Sequence, residues 1–443
     1  MFCYYGDFMQ AYKVWNELFS KKHIKEHYYE KVRSKTSVGL DKITPEKFES
    51  QIDENVDIIS RKTNNQSYRF TRYKQLLFVK GPDKKPRSVS VPTVRDKLTL
   101  SILNEVIVKV FNNSCNTRLP QLIIREISDE ISNFDSFIKL DITSFYSSIN
   151  QEKLISIIKT KIRKKEILYL VKEAIQTDSL PYPVKDKIAR HKKLNGIPEG
   201  LPISNSLANI YLSELDKKFN SIENIRYWRY VDDILILVQE KDLYKIESLA
   251  RKEVSTLDLS FNEKTDSGKI VNGFEYLGYK ISGSSITVRN SSVLKFEQAI
   301  EELIRTINKK NTDYIEWKLN NRITGFVLNN NKYGWAFFYS QISDISLLFH
   351  LDDFVRKILK RYKLDKVHCR KFVRTYHEIT KALHTTKYIP NFDKYKIEDK
   401  LKVLVKIYGD EVKNLSHKDI ESKFSYLMAK EVRDIERDIE RFS

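Results

Sequence analysis

No apolar run in this 443-residue sequence approaches the roughly 18 residues that a membrane-crossing helix needs, although 41% of its residues are hydrophobic. The opening stretch, MFCYYGDFMQ, has neither the basic segment nor the long apolar core of a secretory signal. Cysteine is scarce: Cys3, Cys115 and Cys369 stand far apart, at no metal-ligand spacing. So sparse and odd a set argues against a disulfide framework and for a reducing cytoplasm. Internal repeats, Gly/Ser linkers and low-complexity segments are also missing, and nothing suggests membrane attachment.

What is abundant is positive charge. Lysine and arginine number 78 against 59 acids, a formal net charge of +19 with a pI near 9.4. A polyanionic partner suits that excess, because each lysine or arginine paired with a phosphate releases condensed counterions. A lysine-rich proteome would produce the same balance, so charge alone favours nucleic acid only somewhat. The 25 tyrosines and 23 phenylalanines can supply stacking surfaces for bases, but most must be core.

Hydrophobic spacing predicts one or two helices in the first ~35 residues, with Tyr12, Trp15, Leu18 and Phe19 on one stripe. Thr44-Pro45 reads as a helix cap followed by proline in the first turn. A β-hairpin is expected from Tyr73 to Val79 and Arg87 to Val91, turning at Gly81-Pro82-Asp83. A helix from Val94 to Phe111 and a short buried strand over 137–142 follow. Residues 151–176 read as one basic amphipathic helix and Asn205–Asn220 as another. After a tight hairpin at 225–238 and a β-rich stretch at 274–288, the chain reads as almost wholly helical to its end.

The sharpest signal is RYWRYVDDILILV, residues 226–238. Two apolar runs flank Asp232-Asp233, which reads as the turn between them and so places both carboxylates at a hairpin tip. Standing alone, such a turn would be an ordinary solvated one. Asp141, however, ends the apolar strand FIKLD. Three acids at strand ends are what two hard cations need, since Mg²⁺ takes oxygen ligands and keeps positions for water or phosphate.

These residues carry a family resemblance. LDITSFYSSI resembles the first palm motif of reverse transcriptases, and YVDD (Tyr230 to Asp233) resembles their metal-binding turn. The resemblance implies that Asp141 and Asp232 ligate two Mg²⁺ ions (or Mn²⁺), with the Ile142 backbone beside them and Asp233 completing the cluster. GIPEGLPISNSLANIYLSELD (196–216) looks like the next palm motif, in which Glu199 and Gly200 would lie against the incoming nucleotide. The family usually has glutamine where Glu199 stands. LSFNEKT (259–265) resembles the motif whose lysine, here Lys264, approaches the triphosphate. FEYLGYKI (274–281) resembles the primer-gripping hairpin, with Leu277 and Gly278 at its bend; the glycine suggests close passage of nucleic acid backbone. In the N-terminal part, Lys80, Arg87 and Arg95 match the basic rim that clamps the triphosphate. Tyr146 stands where the family carries a ring that excludes a ribose 2′-hydroxyl, which implies dNTP substrates. SVGLDKITPEKF (37–48) resembles an extra motif of group II intron-related prokaryotic enzymes.

The implied fold is α+β, a right-hand polymerase. Residues 1–136 would form N-terminal helices and fingers, and 137–289 the palm, with finger helices inserted at about 151–193. Residues 290–365 would form a helical thumb, where Lys357, Lys360 and Arg361 would contact duplex phosphates, and 366–443 a helical extension. The alternating charges of EVRDIERDIERF read as an exposed helix or a homo-oligomer contact. After the thumb-like stretch no Cys/His endonuclease cluster, integrase-like or RNase H-like acidic set or zinc finger is evident, and the sequence most resembles the defence-associated and abortive-infection reverse transcriptases of bacteria. That resemblance implies a bacterial cytoplasmic enzyme that works with a structured non-coding RNA, dNTPs and an RNA–DNA duplex. Untemplated or protein-primed DNA synthesis and an inactive RNA-binding scaffold are the alternatives.

Overall fold

In a computed structural model of the chain, residues 2–33, 38–78, 86–115, 118–182, 191–262, 265–307 and 311–440 are described. The chain divides into two compact units, one of residues 1–117 and 137–267, the other of 118–136 and 268–443. Residues 118–136 and 268–289 thus group with the helical part, a division unlike the four consecutive parts expected. Among the described residues no helix is long and apolar enough to cross a membrane.

The first unit begins with α1 (Phe2–Leu18), α2 (Lys21–His27) and α3 (Ile52–Asn64). Trp15, Leu18 and Phe19 are buried as expected, but Tyr12 is 48% exposed. Its ring instead covers the Lys164 ammonium, 4.6 Å from the centroid, a cation–π contact at the core's edge. Thr44 does cap the short helix Pro45–Glu49, accepting the Lys47 amide. Strands β1 (Tyr73–Phe78) and β2 (Arg87–Val91) pair antiparallel; Lys80 and the Gly81-Pro82-Asp83 turn lie outside the described residues.

At the centre of this unit is α4 (Val94–Val110), buried along nearly its whole length from Val94 through Leu98, Ile102 and Val106 to Val110. So many buried positions around one helix mean that neighbours enclose most of it, leaving Lys109 exposed. Its buried Asp96 is satisfied by the Tyr68 hydroxyl and Thr93 hydroxyl, both at 2.8 Å, and the Thr71 amide at 3.0 Å. The strand β3 (Ser136–Asp141) follows.

Where one helix was expected over 151–176, there are two, α5 (Gln151–Lys159) and α6 (Lys165–Gln176). A continuous helix would stack Lys159 on Arg163 and Lys161 on Lys165, like charges four apart that repel; the break also sends Ile162 fully into the core. Strand β4 (Ser179–Pro181) runs parallel to β1. The expected Asn205–Asn220 helix is likewise divided, into α7 (Ser204–Tyr211) and α8 (Ser213–Asn220). The Ser213 hydroxyl donates to the Ile210 carbonyl at 2.8 Å, a side-chain bond that competes with the helical ladder. Strands β5 (Arg226–Tyr230) and β6 (Asp233–Val238) form the expected hairpin, with β3 beside β6 in the sheet, and α9 (Leu243–Thr256) packs after them.

The second unit contains an antiparallel meander of β7 (Phe274–Tyr276), β8 (Tyr279–Ser282) and β9 (Ser285–Val288). Helices α10 (Asn290–Thr306) and α11 (Thr312–Thr324) follow. A hairpin then interrupts the expected all-helical stretch: β10 (Phe326–Leu328) and β11 (Asn331–Tyr333). Asn329 and Asn330 turn it with φ of +50 and +58, the left-handed conformation that asparagine tolerates. Then come α12 (Ser346–Arg361), α13 (Phe372–Lys381), α14 (Ile397–Tyr408) and α15 (His417–Glu440). To the same unit belongs the earlier helix Pro120–Glu130, with Ile123, Ile124 and Ile127 buried.

The charge-alternating end of the chain was expected to be an exposed helix or an oligomer contact. Instead α15 buries Phe424, Leu427, Met428 and Ile435 in this unit's core. Its buried Glu431 and Asp438 pair with Lys318 and Arg322 of α11, and Asp434 joins Lys318 at 2.9 Å. The acids are spaced to line up along one face, which satisfies charges that would be costly to bury alone.

Candidate active site

The hairpin that carries the paired acids turns one residue earlier than expected. Tyr230 pairs with Asp233, so Val231 and Asp232 form the turn and Asp233 opens β6. Val231 adopts φ +57, a conformation that a β-branched residue takes only when its surroundings enforce it. The enforcing group is Arg229, whose Nη1 donates to the Val231 carbonyl at 2.8 Å. The same guanidinium bonds Asp216 through Nε at 2.8 Å and Nη2 at 2.6 Å, and Asn209 at 3.0 Å. The turn is thereby strapped to α7 and α8.

Asp141 ends β3, the strand next to β6. Its carbonyl accepts the Asn262 amide at 2.9 Å, and its carboxylate accepts the Asn262 side chain. Ile142 forms an antiparallel bridge with Phe261, and the Thr143 amide donates to the Ser260 carbonyl at 2.8 Å. Residues 260–262 are thus laid along the Asp141 strand end. Lys264, two residues further on, lies outside the described residues.

Tyr146 lies within the electrostatic reach of Asp232 and Glu199. Burial first, then the Asp232 and Glu199 carboxylates, push its hydroxyl up to about 12, so the ring is neutral and the Asp232 charge lies within its field. It lines a cavity of about 490 Å³ together with Arg87, Val89, Lys97, Glu199, Gly200 and Asn205. Two backbone bonds hold the loop that bears Glu199: the Ile197 amide to Tyr146 at 2.8 Å and the Ser90 amide to the Glu199 carbonyl at 2.7 Å. Gly200 sits at φ +93, where an added Cβ would lie 2.5 Å from Val89 Cγ1; both facts require glycine. Arg87 reaches the cavity already paired. Its Nε and Nη2 bond Glu199 at 2.6 and 2.5 Å. Arg95, half-buried on α4, is replaced in the cavity lining by Lys97.

In the second unit, Leu277 and Gly278 form the two-residue turn between β7 and β8, with φ of +47 and +83. Gly278 was expected to make room for nucleic acid. The space beside it is taken by the chain itself, since an added Cβ would lie 2.8 Å from the Tyr339 hydroxyl. On α12, Lys357 pairs with Asp353 at 2.7 Å and Arg361 with Glu301 at 3.0 Å, while Lys360 is exposed. Exposed pairs of this kind are worth little and exchange readily for a phosphate.

Asp141 ends β3, Asp233 opens β6 and Asp232 stands in the turn before it, each half-buried, and carboxylate oxygens are the hard donors that suit Mg²⁺. Sequence reading missed Arg229, Asp216, Asn209 and Asn262, which position the acids, and Lys97. The arginine in RYWRY, two residues before a strained turn, was the available signal.

Residues 79–281 match the family model described as reverse transcriptase (RNA-dependent DNA polymerase). An uncharacterised 91 kDa protein in the cob intron of Schizosaccharomyces pombe is 26% identical over 207 residues, covering 45% of this chain and 24% of that protein. The group II intron-encoded protein LtrA of Lactococcus lactis subsp. cremoris is 28% identical over 152 residues, 32% of this chain and 24% of LtrA. The chain therefore spans about a quarter of the length of these relatives. Among solved structures, telomerase from Candida albicans in complex with a telomeric RNA fragment aligns at 14% identity with a TM-score of 0.45, over 89% of this chain and 65% of that one. Apo telomerase from Candida tropicalis aligns at 17% and 0.40, over 50% and 55%. The paired acids and the Tyr146 cavity thus lie inside the stretch, residues 79–281, that is similar to reverse transcriptases (RNA-dependent DNA polymerases), the group II intron-encoded protein LtrA among its relatives.

Proposed function

We propose that this chain copies an RNA template into DNA, with Asp141, Asp232 and Asp233 as its catalytic acids. The observation that carries this reading is the strained turn at Val231-Asp232, strapped by Arg229, beside the strand end at Asp141 and within electrostatic reach of Tyr146. Strain persists where surrounding structure enforces it, and it concentrates at functional turns.

In this reading Asp141, Asp232 and Asp233 would hold two Mg²⁺ ions, which would supply charge neutralisation at the triphosphate and a lowered pKa at the primer 3′-hydroxyl. The dNTP occupies the cavity lined by Arg87, Lys97, Tyr146 and Gly200. Tyr146 presents an uncharged ring to the sugar and rejects a 2′-hydroxyl by bulk. Arg87 and Lys97, with Lys80 and Lys264, supply cations for the phosphates, and Arg87 exchanges Glu199 for phosphate as substrate enters. The Leu277-Gly278 turn belongs to the primer grip, and Lys357, Lys360 and Arg361 contact the duplex. Residues 137–289 serve as palm and 290–365 as thumb.

The finer reading is a cognate structured non-coding RNA as template, in bacterial antiviral defence. It is supported by the sequence resemblance to defence-associated enzymes. Both curated relatives are intron-encoded, so an intron RNA is the competing template. Purification of the protein without nuclease from its own host, sequencing of the bound RNA, and incubation with Mg²⁺ and labelled dNTPs test both levels. One dominant RNA with complementary DNA made from it supports the reading, and its locus separates intron from dedicated RNA. Asp232→Asn should abolish synthesis and keep RNA binding. Normal synthesis by that variant, or DNA matching no bound RNA, overturns it.

A further inference from the structure

Away from the catalytic acids, α2 carries His23 and His27 one turn apart, facing Glu105 on α4. Their ring centroids are 5.7 Å apart, and one ligand atom from each of the three residues lies within 4.8 Å of the others. His27 Nδ1 is 3.3 Å from Glu105 Oε2, close to the separation of two donors around one zinc ion. His23 Nε2 and His27 Nδ1 are both shut off from solvent, and neither has a well-formed hydrogen bond. Folded proteins rarely leave such atoms unmet, and where they do, an ion or water is a common explanation.

We propose that His23, His27 and Glu105 bind a divalent transition-metal ion of the zinc type, with a fourth position open to solvent. Two imidazoles and one carboxylate suit zinc or cobalt, whereas magnesium and calcium prefer oxygen alone. The supporting shell is already present. Ser101 Oγ lies 2.7 Å from His27 Nε2; accepting a hydrogen bond from a protonated Nε2, it leaves Nδ1 with its lone pair facing the ion. His27 is neutral near pH 7, since burial and then the Lys31 charge lower it to about 4.

Lys31, 2.8 Å from Glu105 Oε2, and Lys109, 3.4 Å from Oε1, now balance the glutamate. Their side chains are 54% and 40% exposed, so both ammonium groups can swing into solvent when a cation arrives. The ion would join α2 directly to α4, the central helix of its unit. It is a structural fastener rather than part of the chemistry at Asp141.

The test is titration of the full-length, chelator-treated protein with Co²⁺, followed by visible absorption. Wild-type protein should take up one equivalent with the intense bands of four-coordinate cobalt, be bleached by added Zn²⁺, and melt at a higher temperature with the metal. His23→Ala, at a half-exposed site, should lose the bands while keeping its circular dichroism and its Mg²⁺-dependent DNA synthesis. Lys31→Met should bind more tightly than wild type. Asp232→Asn should retain the cobalt signal, which separates this site from the polymerase reading. Absence of cobalt bands in the wild type, or undiminished bands in His23→Ala, overturns the proposal.

Discussion

Replacing Arg229 with methionine asks whether the turn bearing Asp232 is held in place from behind. The guanidinium is 8% exposed and holds Asp216, Asn209 and the Val231 carbonyl at once. Methionine restores much of the packing volume but none of the bonds, and Asp216 loses its cation. Removing one member of a buried pair costs about 3–5 kcal/mol. Asp216 is 26% exposed and keeps the Tyr227 hydroxyl at 2.8 Å, so the lower end, about 3 kcal/mol, is expected. At about 2–4 °C per kcal/mol for a unit of this size, Tm should fall by roughly 6–12 °C. The turn should also relax, because a left-handed non-glycine residue costs about 1–2 kcal/mol, and Val231 would no longer be held there. Displaced acids should lower kcat about 10–100-fold while the dNTP KM stays within about threefold. Thermal unfolding and steady-state dTTP incorporation on poly(rA)·oligo(dT) measure the two effects, and Asp216→Leu completes a double-mutant cycle. Full kcat in a destabilised Arg229→Met would refute the strap. An unchanged Tm would show that the pair contributes nothing.

Glu199→Gln should free Arg87 from its present partner and lower the dNTP KM severalfold with little change in kcat; a raised KM would mean that Glu199 itself binds substrate. Tyr146→Ala should admit ribonucleotides, measured as rUTP against dTTP incorporation, and unchanged discrimination would remove Tyr146 from the sugar pocket. The Tyr146 hydroxyl is pushed from its ordinary value of 10 up to about 12, so it stays protonated at any assay pH below the shifted value. Sugar selectivity should therefore be flat from about pH 7 to 9, and a break in that range would contradict the buried neutral ring. Gly200→Ala, with its Cβ 2.5 Å from Val89 Cγ1, should push the 196–200 loop off β2 and raise the dNTP KM; Val89→Ala in the same chain should recover part of the loss.

The acids were legible because their type and strand-end positions are written locally: FIKLD and RYWRYVDDILILV hold the apolar runs as well as the carboxylates. The turn register was not, because no local rule puts valine at φ +57; it follows from Arg229 reaching two helices that are distant in sequence. The helix breaks at 160–164 and Leu212 escaped notice for a similar reason, since neither contains proline or glycine. The β10–β11 hairpin could have been suspected from the turn-forming Asn329-Asn330 after the β-prone Phe326-Val327. The crowding of Gly278 by Tyr339 could not be read either, because the two are 61 residues apart and only the folded chain brings them together. Likewise, the EVRDIERDIERF pattern gives no hint that its acids answer Lys318 and Arg322.

The segment 118–136 belongs to the unit otherwise built from 268–443, and this sets an order of events during synthesis. The helix Pro120–Glu130 leaves the ribosome with Ile123, Ile124 and Ile127 on one face, and the rest of its unit begins only at residue 268. At about 5–20 residues per second, that face waits on the order of 10 s for the rest of its core. During that interval the apolar face is a natural target for a chaperone. A fragment ending near residue 267 would leave it uncovered permanently, so an attempt to express the polymerase-like unit alone should replace those three isoleucines with polar residues.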